Sequence, residues 1–183
     1  MEIFIIIALA VALVIVWVMS VQRKLVAMDE NVNNAMSQIG VQLSSRFDAL
    51  TALLDLVKGY AAHESHTLIE TIQSRRSVIT AQSTPDEVLK QEGVISEALG
   101  RISMVAEQYP ELKANENYAK CMDAVDTYEK MVRTSRLIYN DSVTKLNRAI
   151  RMIPTSLIAG MLGFRARDYL EAAEEKAAMP KMS

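Results

Sequence analysis

Nineteen consecutive residues, Ile3 to Val21, carry no charge, and this limits what the chain can become more than anything else in it. As a helix they span about 28 Å, close to the roughly 30 Å hydrocarbon core of a bilayer. The segment therefore predicts a transmembrane helix. A cleavable signal peptide is the competing reading, disfavoured because Glu2 stands where a basic region belongs and Ala8-Leu9-Ala10 comes too early to follow an apolar run. Ile3 and Val21 bound the expected anchor, Trp17 suits the interface near its downstream end, and Arg23-Lys24 follow directly. That basic flank predicts a short N-terminus outside and a cytoplasmic domain, anchored by a single pass.

No Gly or Pro separates Val21 from Ile39, so the anchor and the first helix of the domain are expected as one rod. Leu25, Met28, Val32, Ala35 and Ile39 keep a heptad spacing. Leu43 and Phe47 follow in steps of four, and Leu50, Leu54 and Val57 complete one helix face. The stutter suits a nearly straight bundle helix better than an extended coiled coil, although residues 25–39 could self-associate. Gly59-Tyr60 is the cheapest place to bend. A second helix is expected from about His63 to Ala81, with Leu68, Ile72 and Ile79 inward and Arg75-Arg76 outward. Thr84, Pro85 and Glu87 form a start signal for a third, with Val88, Ile95, Leu99, Ile102 and Val105 or Ala106 buried, ending at Tyr109-Pro110. The last runs from near Asn115 to Pro154 and buries Tyr118, Met122, Val125, Val132, Tyr139, Val143, Leu146 and Ile150. The expected fold is all-α: a transmembrane anchor (1–22), an antiparallel four-helix bundle with long first and last helices (23–154), and an apolar and basic segment with a solvated C-terminal tail (155–183).

Two stretches carry a family resemblance. The first comprises Ala35-Met36-Ser37-Gln38-Ile39, Val41-Gln42-Leu43, Arg46-Phe47-Asp48 and Val57-Lys58-Gly59-Tyr60-Ala61-Ala62-His63-Glu64. The second is Tyr139-Asn140, Val143, Ile153-Pro154 and Leu157-Ile158-Ala159-Gly160, followed by Gly163-Phe164 and Tyr169. Together they resemble the LemA family signature over most of the chain. Met36, Gly40, Ser44-Ser45, Thr51-Ala52 and Leu146-Asn147 depart from it, the last replacing a second Tyr-Asn. The resemblance implies a bacterial single-pass membrane protein with a helical-bundle domain and no established enzymatic activity.

Composition and motifs point the same way. Lys plus Arg number 20 against 22 Asp plus Glu, a net charge of -2, and so bulk charge gives no reason to expect a nucleic-acid partner. The lone Cys121 cannot form an intrachain disulfide and reads as a small packing residue. His63, Glu64, His66 and Glu70 are the most tempting ligand cluster. Their histidines stand three apart rather than four, and neither completes a Glu-x-x-His pair of a di-iron bundle, so a polar helix start is the preferred reading. No Gly-x-Ser-x-Gly or phosphate-binding glycine loop is present. No catalytic site, metal, cofactor or small-molecule substrate is expected.

Four antiparallel helices after an anchor would return the chain to the membrane. Leu157 to Phe164 is an apolar run too short to span, flanked by Arg148, Arg151, Arg165 and Arg167. A peripheral membrane contact by Leu157, Ile158, Phe164, Arg165 and Arg167 is one expectation. Folding of the same run back onto the bundle is the other. The functional expectation is a non-enzymatic, membrane-anchored scaffold or interaction protein, with lipid and either protein partners or further copies of itself as its contacts. A metal protein or enzyme using the His63 to Glu70 cluster, and an envelope signal relay, are the alternatives.

Overall fold

The computed structural model describes residues 1–61 and 72–171. Among these the chain is helical, with no strand. Helix α1 runs unbroken over Glu2–Tyr60, α2 over Pro85–Gln108, the single turn α3 over Pro110–Lys113, α4 over Glu116–Arg151 and the short α5 over Thr155–Met161. The rod expected from the missing Gly and Pro is thus continuous, and it stops at Tyr60 beside the glycine read as its bend.

Along α1 no residue before Leu25 is buried, and from there the buried face widens. Ile39, Leu50, Leu53, Leu54 and Val57 are wholly enclosed. The stripe is broader than a coiled-coil seam because several elements pack on it. Helix α4 lies antiparallel: Tyr60 meets Asn115 at 3.1 Å, Arg46 meets Glu129 at 2.7 Å, and Asp29 sits beside a segment held by Asn147. The same register sets Arg151, the last residue of α4, level with Lys24.

Helix α2 starts with a full capping box. The Thr84 hydroxyl accepts from the Glu87 backbone N–H, and the Glu87 carboxylate accepts from the Thr84 N–H at 2.8 Å. It buries Val88, Val94, Ile95, Ala98, Ile102 and Ala106, and ties to α4 through Glu92 and Arg136 at 3.0 Å.

The second expected helix is corrected where it can be seen. Its start, including Leu68, lies outside the described residues. Residues 72–74 are helical, but 76–80 are not. Arg76 pairs with Asp48 and stacks on Phe47, 4.8 Å from the ring centroid, while Ile79 lies against Gly40. From Asp48 to Gly40 is about 12 Å along α1. Three extended steps of about 3.3 Å nearly cover that distance and three helical steps of 1.5 Å do not. The chain is therefore drawn out as a strap. Ile72 and Ile79 are buried as expected; Gln91, only 2% exposed, accepts from both the Ser77 N–H and hydroxyl at 2.9 Å. A β-carbon at Gly40 would collide with the Ile79 carbonyl oxygen, with the carbonyl carbon 3.0 Å away. The glycine that departs from the family pattern is what admits the strap.

Candidate functional site

At the far end of α4 the chain comes back towards the root of α1. After Arg151 it turns through Met152 to Pro154, with a cis Ile153–Pro154 peptide, into α5. Ile158 and Ala159 face the body and are buried, 6% and 1% exposed. Leu157 and Met161, one turn apart on the opposite side, are 68% and 87% exposed, and Met152, Ile153 and Leu162 stand open beside them. Leu25 is enclosed at this level, and Val18 and Val21 are the only residues before it that are partly covered. They share one face of α1 with Leu25, and α5 is the element that continues below the end of α4 and packs on α1.

The helix ends by a Schellman turn. Gly163 takes a positive φ of 77°, its N–H reaches the Gly160 carbonyl at 3.3 Å, and the Phe164 N–H reaches Ala159 at 3.0 Å. The chain then runs extended, back up α4 and away from the apolar end. Two amides hold it. The side chain of Asn147 donates to the Arg167 carbonyl and accepts from the Arg167 N–H, both at 2.9 Å. Asn140 does the same for Leu170, at 3.1 and 2.9 Å. The spacing explains the fit: seven helical residues rise about 10.5 Å and three extended residues about 10 Å, so two asparagines two turns apart meet every third peptide. The Tyr139 hydroxyl donates to the Asp168 carbonyl at 3.0 Å. Burial, with the Asp168 carboxylate adding to it, raises its pKa above the ordinary tyrosine value, against a smaller opposing effect of Arg167. Leu170 is 2% exposed and joins the core.

Of the residues expected at a peripheral membrane contact, Leu157 and Arg165 are exposed and Phe164 is half-buried. Ile158 is corrected to a packing residue. Arg167 is exposed too, and its guanidinium binds Asp29 at 2.9 and 3.2 Å, beside Asn33. Met152 and Ile153 were missed because they precede the run, and Met161, inside it, was not singled out. Ile3, Trp17, Val21, Arg23 and Lys24 all lie on α1, with Trp17, Arg23 and Lys24 exposed. His63, Glu64, His66 and Glu70 lie outside the described residues. Among the described residues no cluster of His, Cys, Asp or Glu could hold a metal ion, and Cys121 is a free, partly covered thiol on α4. The asparagine clamp was not foreseen, although a polar side chain on an apolar stripe needs a partner, and Asn147 lies beside Leu146 in such a stripe.

These features define a class: an all-helical domain built directly on a helix with one stretch long and apolar enough to cross a membrane, its chain brought back to the base of that stretch. The LemA family model matches residues 35–183, and the chain belongs to the LemA family. Magnetosome protein MamQ 2 of Paramagnetospirillum magneticum is similar, 24% identical over 171 residues that cover 80% of this chain and 63% of that protein. The Magnetosome protein MamQ of Magnetospirillum gryphiswaldense is 24% identical over 169 residues, 79% of this chain and 62% of its own. Protein LemA of Metamycoplasma hominis is 28% identical over 149 residues, 80% of this chain and 67% of its own. The chain thus spans a little under two thirds of the length of its magnetosome relatives. In this chain Tyr139 and Asn140 hold the returning segment together with Asn147, and Gly163-Phe164 form the Schellman turn.

Proposed function

We infer that this is a non-enzymatic scaffold, tethered by a single pass through a bacterial cell membrane, whose helical body stands on the cytoplasmic side and holds protein or lipid partners there. One observation carries the reading. The apolar, wholly unburied start of α1 continues without a break into the most enclosed residues of the body, so tether and body are one rigid piece. The body offers exposed apolar side chains, including Leu137 and Ile138 on α4, 67% and 46% exposed. In this reading the strap and the three long helices close as an up-down-up-down bundle, and the Arg23-Lys24 flank sets the orientation.

The orientation is read with a Cys121→Ser background and a cysteine at exposed Lys90. A membrane-impermeant thiol reagent should label it in lysed but not in intact cells; equal labelling reverses the topology. The scaffold role is read with a photo-crosslinking residue at Leu137 in intact cells, which should give a discrete adduct absent when the crosslinker sits at exposed Lys113, on α3. Adducts at neither site, or the same smear at both, would remove the basis for a partner on α4. Elemental analysis separates the metal alternative: stoichiometric metal lost on replacing His63 and His66 would overturn the non-enzymatic reading.

A further inference from the structure

We propose that the outer face of α5 is an amphipathic foot that lies in the headgroup region of an anionic bilayer beside the emergence of α1. The proposal rests on α1 crossing that bilayer. It does not depend on the scaffold role or on which side the domain occupies.

Four observations lead to it. Helix α5, Thr155–Met161, contains no charged residue, and its two polar ones, Thr155 and Ser156, are half-buried, so the side chains that stand out most, Leu157 and Met161, are apolar. An exposed surface helix ordinarily keeps its charged residues on its outer side. Second, the exposed residues are contiguous and apolar: Met152, Ile153, Leu157, Met161 and Leu162, a patch of the kind that marks an interaction surface. Third, it lies at a defined depth. Val18 and Val21, partly covered and on the same face of α1 as Leu25, belong to the uncharged stretch, and Arg151 is level with Lys24. The foot thus sits where that stretch ends. Fourth, exposed arginines rim it: Arg148 and Arg151 on the last turn of α4, and Arg165 after the Schellman turn, at the level of Arg23 and Lys24. Asp29, the first acidic residue of α1 after Arg23 and Lys24, is already committed to Arg167. An apolar face bounded by cations, adjoining the base of an apolar span, fits acyl chains below and anionic headgroups around it.

The methionines of the native chain supply the test. In water their oxidation by a small soluble oxidant should follow exposure, so Met161 (87% exposed) should react faster than Met104 (58%), which lies on α2 and far from this end. The full chain is placed in nanodiscs at one copy per disc, with phosphatidylglycerol or with phosphatidylcholine alone, and sulfoxide formation at each methionine is followed by mass spectrometry. In the anionic discs the order should invert, with Met161 slower than Met104 by about threefold or more. Protection should be weaker in the zwitterionic discs and at high salt. Replacing Ile153 and Leu157 by Asn should restore fast oxidation at Met161 while leaving the melting temperature unchanged, since both side chains are already in solvent.

Met161 reacting faster than Met104 in anionic discs overturns the contact. Equal protection in the two lipids overturns the assignment of the arginines as headgroup contacts. Protection that requires two copies per disc assigns the face to self-association instead of lipid. Because discs are open on both sides, the outcome is independent of topology and of any partner.

Discussion

The clamp can be probed by removing one of its amides. Asn147 is 5% exposed and exchanges two hydrogen bonds of 2.9 Å with the Arg167 peptide. Asn147→Ala deletes both and leaves a peptide N–H and carbonyl unpaired. A neutral hydrogen bond is worth about 1 kcal/mol net, so the docked segment should lose about 2 kcal/mol, with more at stake only if the orphaned peptide stays buried. It need not, because the segment can lift and hydrate. The cost should therefore appear as local opening: hydrogen exchange at the Arg167 amide should quicken by about thirtyfold, as 1.4 kcal/mol is a factor of ten. Leu170, held by Asn140 and by its own burial, should change less, and Leu50 in the centre of α1 not at all. Asn140→Ala should shift the largest effect to Leu170. Unchanged exchange at Arg167, or the same acceleration at Leu50, would refute the idea that the two amides act as separate local grips.

Gly40→Ala should lower stability by about 1 to 3 kcal/mol, because the obstruction is the Ile79 backbone and cannot rotate away, whereas Gly93→Ala, on α2 with open space around it, should raise it by about 0.5 to 1 kcal/mol; thermal melts of the two variants compare them directly. Leu50→Ala should cost about 2 to 5 kcal/mol in chemical denaturation, while Arg76→Ala, which loses an exposed ion pair and a ring contact, should cost about 1 kcal/mol. The buried Tyr139 phenol has a folded pKa above its unfolded one, so its contribution is complete below the ordinary value of about 10 and fades as pH rises through the folded value. Stability measured across that alkaline range should fall less steeply in Tyr139→Phe than in the native chain.

Much of this architecture is legible in the sequence because it is periodic. The α1 stripe from Leu25 to Val57, the Thr84-Pro85-Glu87 start and the Asn115 cap are local patterns, and local physics is enough to read them. The strap fails that test. Ile72 and Ile79 are seven residues apart, a spacing that suits two turns of helix, yet the backbone is extended by Ile79 because Gly40, some forty residues earlier, leaves room for its carbonyl and Gln91 satisfies Ser77. Segment 164–171 has the same difficulty. It buries only Leu170 and owes its course to Asn140 and Asn147, so no period within it could announce it. The directions of Ile158 and Arg167 were open for a related reason: an apolar or basic residue in a short run does not say which way it faces.

The unbroken α1 has a mechanical consequence. Fifty-nine residues in one helix make a shaft about 88 Å long. Roughly 57 Å of it lies beyond Val21, with no glycine or proline before Ile39 to serve as a joint. A tilt of about 10° at its base would carry the far end through about 10 Å, and a twist about its axis would turn every face of the body with it. Such a shaft is a lever. Bilayer thickness, by setting the tilt of the apolar stretch, would thereby set where the body points.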